Sequence, residues 1–128
     1  MSRNVDVVRA ALEAFERGDT DAAMTLVHPD MVSRRVAPLP DPQTYHGAAG
    51  VLEMYADWTA DFGEFELDHL EPEEVGGRVL VGLHQTARGR ASGVPVEATF
   101  WFLFTVEDGV ITREDVYATR EQALGGGA

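Results

Sequence analysis

RVLVGLHQTARGRASGVPVEATFWFLFTVEDGVITREDVYA, residues 78–118, is the stretch that decides the fold. Apolar and polar residues alternate through most of it, the period of a strand rather than of a helix. Ser92-Gly93 and Asp108-Gly109 interrupt the alternation with residues that tolerate the positive φ of short hairpins. The pattern predicts strands over Arg78–Arg90, Val94–Val106 and Val110–Ala118, and Gly76-Gly77 links them back to an earlier one at Glu64–Leu70. Four strands joined in sequence by tight turns make an antiparallel meander.

Upstream of Gly63 the period is helical. Val5, Val8, Leu12 and Phe15 fall on one face of a first helix, with Asn4 a candidate N-cap and Gly18 a stop. A second helix is expected from Thr20 to Val27, capped by Asp19 or Thr20 and ended by His28-Pro29, because the residue before proline is driven out of helical geometry. Asp30–Val36 reads as a short strand. APLPDPQTYHG, residues 37–47, holds three of the six prolines and reads as a loop across one end of the domain. A third helix follows over Gly47–Phe62, with Val51, Tyr55, Trp58 and Phe62 turned inward. After the last strand, REQALGGGA allows one helical turn. The expected fold class is α+β: three N-terminal helices packed on a strongly bent antiparallel sheet, with a cavity at the open end that the proline-rich loop rims. Residues 1–124 make one domain, and 125–128 are expected to trail as a disordered tail.

Composition narrows the function. A chain of 128 residues with 45% hydrophobic and 25% charged residues supports one core. Ten Lys+Arg against 22 Asp+Glu give a net charge of −12, which repels nucleic acid and anionic membrane surfaces, so neither is an expected partner. With no cysteine there is no disulfide or thiolate chemistry. The charged N-terminus does not read as a signal peptide, and the expected location is the cytoplasm. His28, His46, His69 and His84 are scattered without metal-ligand spacing, and the acidic runs EPEE and EFELD read as solvated surface. No P-loop, GxGxxG or GxSxG is present, so no cofactor is expected.

The order helix, helix, HPDMV, proline loop, YHG, then SGVPVEATFWFLF and EDGVITREDVYATREQAL resembles the SnoaL-like branch of the nuclear transport factor 2-like superfamily across nearly the whole chain. The resemblance implies a cone-shaped α+β barrel, a fold shared by polyketide cyclases, ketosteroid isomerases, epoxide hydrolases and non-catalytic modules. Matched position by position, it puts Arg35 where a ketosteroid isomerase has its aspartate base, Ala11 at the tyrosine and Phe102 at the acid. Classical steroid isomerisation is therefore not expected. The arginine-bridged aspartates of the epoxide hydrolase branch are not recognisable either.

The same matching turns Phe100, Phe102 and Phe104 inward, and Trp101 and Leu103 outward with Tyr117 of the last strand. That outer face is expected to join a second copy of the chain as a homodimer. Gln85 is a polar exception on an inward apolar face, free to bind a ligand or the backbone. Glu114 falls inward among phenylalanines, where desolvation raises a carboxyl towards the range useful for proton transfer, unless it pairs with Arg35. Arg35 is either an anion-recognition group or a rim residue, and Tyr55 and Trp58 are either core or pocket wall. Two functions follow: a cofactor-independent cyclase- or isomerase-type enzyme using Glu114 and Arg35 on a hydrophobic aromatic or polycyclic substrate, with Tyr55, Trp58, Gln85, Phe100, Phe102 and Phe104 as the pocket; or a non-catalytic ligand-binding or dimerisation module.

Overall fold

Asp108 and Gly109 turn the chain at φ 50 and 80, the left-handed pair that a two-residue hairpin needs. A computed structural model of the chain describes residues 3–40 and 42–126. Its strands are β1 (Val27–Arg35), β2 (Gln43–His46), β3 (Phe62–His69), β4 (Glu73–Val75), β5 (Arg78–Gly89), β6 (Pro95–Glu107) and β7 (Val110–Tyr117). The helices are α1 (Arg3–Glu16), α2 (Thr20–Met24) and α3 (Gly47–Thr59). Strands lie in the order β2-β1-β7-β6-β5-β3, with β4 beside β5. The antiparallel meander expected from the alternation is β3, β5, β6 and β7. The helices pack on a strongly curved sheet that is not closed. It is mixed, because β1 joins β7 in parallel while β2 folds back antiparallel on β1.

Several boundaries differ from the expected ones. The second helix stops at Met24, and β1 already begins at Val27, which pairs with Ile111 before a bulge carries the chain over Pro29 and Asp30. The pre-proline restriction on His28 acts here by extending the chain into the sheet rather than into a loop. β2 lies in the stretch read as loop: past Pro42, Gln43–His46 forms an edge strand whose inward residue, Tyr45, is buried. Asn4 is not the cap, since α1 already includes Arg3. Asp19 caps α2, its carboxylate accepting from the Ala22 N–H at 3.2 Å. The buried residues of α3 are Gly50 and Met54, and Phe62 belongs to β3. EPEE is not merely solvated: Glu71 pairs with Arg9 at 2.7 Å, and Glu73 opens β4 and pairs with Arg120. Gly125 and Gly126 continue the C-terminal turn Gln122–Gly126, and the rest of the expected tail lies outside the described residues.

Between helices and sheet, Val8, Met31, Val79, Val81, Leu83 and Phe104 are buried in one cluster. Burial of such side chains contributes roughly 1.5–3 kcal/mol each. On the outer side, the chain covers part of the apolar face itself. Leu80, Leu103 and Ala123 are buried together, with Val75, Trp101 and Tyr117 packed against them. Among the described residues, no helix is long and apolar enough to cross a membrane.

Candidate functional site

Alternation on each strand fixes what faces the helices, and pairing then aligns those residues in rows across the sheet. One row is Val79, Phe104, Glu114 and Ser33, on β5, β6, β7 and β1. The next is Val81, Phe102, Val116 and Arg35 on the same four strands. The meander strands thus supply aromatic and aliphatic groups, and the β7–β1 seam supplies polar ones.

Under the helices lies a cavity of about 110 Å³. Its wall includes Ala11, Leu12 and Phe15 from α1, Met54, Tyr55 and Trp58 from α3, Phe65 from β3, Leu83 from β5, Phe100, Phe102 and Phe104 from β6, and Glu114 from β7. Among the described residues Glu114 is the one ionisable carboxyl of this wall, and the remainder is almost wholly apolar. Burial pushes its carboxyl up to about 8, and the negative charge of Asp115 adds to the rise. The group is therefore mostly protonated at neutral pH, yet close enough to its midpoint to give or take a proton. Ala11 and Phe102, which the sequence resemblance matches to a ketosteroid isomerase's tyrosine and acid, line the cavity with apolar surface.

Tyr55, Trp58, Phe100, Phe102, Phe104 and Glu114 come together on this wall; Arg35 and Gln85 stand behind it. Gln85 is 2% exposed and accepts the indole N–H of Trp58 at 2.6 Å. Of its two expected roles it takes a structural one, holding the ring that also meets Phe100 edge-on at 4.7 Å. Arg35 lies over the Trp58 ring, 4.9 Å from its centroid, and donates from Nη1 to the Pro40 carbonyl at 3.3 Å. Arg35 and Glu114 do not form the ion pair considered from the sequence, and among the described residues Arg35 has no carboxylate partner. Tyr55 is 39% exposed, so the wall meets solvent beside it, and its ring touches Phe15 edge-on at 4.8 Å.

Asp115 points to the other side of the sheet. It is buried there between Arg34 Nε at 2.8 Å and Arg113 Nε at 3.0 Å. The sequence reading missed Ser33, because its proximity to Glu114 depends on a parallel pairing that no turn announces. Met31 and Met54 were also missed as wall residues, although each sits at the inward parity of its element. Among the described residues, no group of three or more His, Asp or Glu is placed to hold a metal ion.

Comparison with solved structures agrees on the fold. A protein of unknown function with the nuclear transport factor 2-like fold, from Burkholderia pseudomallei, is 22% identical with a TM-score of 0.77, covering 98% of this chain and 97% of its own. TerC co-crystallised with polyporic acid is 23% identical with a TM-score of 0.77, covering 95% of each chain. A candidate polyketide cyclase from Sinorhizobium meliloti is 26% identical with a TM-score of 0.63, covering 87% of this chain and 93% of its own. No curated protein matches the sequence. The family model for the SnoaL-like domain matches residues 8–114, from within the first helix through every residue of the cavity wall to the carboxyl at its floor, and the chain belongs to that family.

Proposed function

We propose that the protein is a cofactor-independent acid–base enzyme of the cyclase or isomerase type, that its substrate is a hydrophobic aromatic or polycyclic carbonyl compound, and that Glu114 transfers the proton. The observation that carries this reading is a single carboxyl, raised to about 8, on an otherwise apolar cavity wall. In its ionised form the carboxylate takes a proton from the carbon next to a ketone, and the electron pair moves onto the carbonyl oxygen as an enolate. Returning the proton to another carbon completes an isomerisation. If the enolate carbon instead attacks a second carbonyl of the same molecule, a carbon–carbon bond forms and the protonated Glu114 neutralises the new alkoxide.

At about 110 Å³ the site is smaller than the ~150 Å³ apolar cavity that takes benzene, so even a single ring seated at its floor reaches towards its open side at Tyr55. A second ring would extend past Tyr55 towards solvent. TerC with polyporic acid and the candidate polyketide cyclase, both sharing the fold, favour the same substrate class.

The test is exchange of the acidic hydrogens of benzoylacetone in deuterated water, followed by NMR. Wild type should accelerate exchange, and Glu114→Gln should lose about 10²–10⁴-fold of that rate. Equal rates in the two proteins refute the assignment. Binding without turnover in wild type makes the non-catalytic module of the same fold the better account.

A further inference from the structure

Arg35 carries a buried charge that the rest of the concave face does not answer. The residue is 8% exposed, and its Nε and Nη2 are buried with no hydrogen-bond partner among the described residues. The Trp58 face beneath it offsets only part of what burying an ion costs. Acids on neighbouring elements are engaged elsewhere. Asp115 faces the opposite side and is held by Arg34 and Arg113, and Asp57 accepts the Tyr45 hydroxyl at 2.8 Å. Glu114 is held protonated at neutral pH by its own burial.

Ser33 repeats the pattern, with 0% exposure and an Oγ that has no partner among the described residues. It pairs with Glu114 across β1 and β7, and Arg35, two residues on at the same parity, pairs with Val116. Glu114, Ser33 and Arg35 therefore form one polar strip on the inward side that starts at the cavity wall. A buried donor left unpaired keeps the full cost of losing its water, which a ligand oxygen would remove. Nε and Nη2 are also the two nitrogens of one edge of the guanidinium, the fork that takes both oxygens of a carboxylate.

We propose that this strip is an anion subsite, and that the ligand is an aromatic monoacid whose anionic oxygens are taken by Arg35 Nε and Nη2 with Ser33 Oγ beside them, its ring lying against Phe102 and Trp58. The inference deepens the acid–base reading and rests on its cavity. The row Phe102, Val116, Arg35 crosses two strand spacings, about 10 Å between backbones, and the guanidinium reaches back to 4.9 Å from the Trp58 ring centroid, so the ring and anion sites adjoin. A carboxylic acid and an acidic enol both present such an oxygen, and both bring the negative charge that the buried cation lacks.

Calorimetric titration of the full chain at neutral pH tests this with two pairs of probes: naphthoate against naphthamide, and hydroxynaphthoquinone against its methyl ether. Each anion should bind roughly tenfold to a hundredfold tighter than its neutral partner, and the pair with the larger ratio identifies carboxylate or enol as the preferred group. Arg35→Gln should abolish the ratio while leaving the neutral probes bound, and Arg35→Lys should restore part of it. Ser33→Ala should weaken only the anions. A ratio near one in wild type overturns the proposal, as does a ratio that survives in Arg35→Gln. Neutral probes that bind while the anions do not remove the subsite and leave the apolar cavity standing. If none of the four binds, the cavity reading falls with it.

Discussion

Replacing Glu114 by glutamine should make the protein more stable, increasingly so as pH rises. The carboxyl moves from an ordinary value of 4.5 to about 8 on folding. Between these values the folded chain holds a proton that the unfolded chain has released, so stability is greatest below the lower one. It falls by about 1.4 kcal/mol per pH unit through the window and levels off above the upper one. From pH 5 to 8 the accumulated loss is roughly 3–4 kcal/mol. In a domain of this size that corresponds to about 10–15 °C in Tm. The glutamine variant keeps the shape and every other titrating group, so the difference between the two pH profiles isolates this carboxyl. Urea melts of both proteins at intervals from pH 5 to 8 measure it directly. Two parallel profiles would refute the reasoning, since they would mean that Glu114 is hydrated or partnered in the folded chain. Base catalysis should rise as pH approaches 8, where the folded chain itself ionises, and level off above it.

Asp115→Asn breaks two ion pairs at a residue only 1% exposed. Breaking a buried pair costs about 3–5 kcal/mol, but both arginines are partly in water, so a loss of about 1–3 kcal/mol in urea melts is expected. The variant should also move the Glu114 window to lower pH, and an unmoved window would refute the charge coupling between them. Gly50→Ala would place a Cβ 3.1 Å from Tyr45 Cβ and 3.2 Å from its carbonyl carbon. Alanine gains up to about 1 kcal/mol in helix propensity, and overpacking costs about 1–3, so thermal melts should show a net loss; a gain would mean that β2 yields freely. The homodimer expected from the sequence through the outer sheet face is a proposal that sedimentation velocity tests: wild type should sediment as a dimer and Trp101→Glu as a monomer, and a wild type that is monomeric at all concentrations refutes it.

The meander was legible because its determinants are local. Asp108-Gly109 fixes one hairpin, and alternation over 94–106 then places Phe100, Phe102 and Phe104 on one face without further information. A one-residue slip would have exchanged them for Trp101 and Leu103, and the turn chemistry is what prevents it. The N-terminal strands were less legible for a physical reason. Four residues, Gln43–His46, are too few for a period to declare itself, and the pairing of β1 with β7 is made by packing across a long loop closure rather than by a turn. Everything that depends on that pairing was invisible, above all the adjacency of Ser33 and Glu114.

The same distinction bears on where the chemistry sits. β5 and β6 are set by hairpins and by apolar residues directed at the helices, so a charge among Val79, Val81, Phe102 or Phe104 would weaken the pattern that registers the sheet. At the seam between β1 and β7, alternation is not needed to choose the partner, since no hairpin competes for it. Ser33, Arg35 and Glu114 all lie there, and Phe104 and Phe102 complete their rows from the meander side. The apolar half of the cavity is thus a product of folding rules, and its polar half occupies the one pairing those rules leave free. Exchanging polar groups at this seam should therefore alter which ligand is bound and which proton is moved while the cone itself persists, which is the condition for one fold to host many reactions.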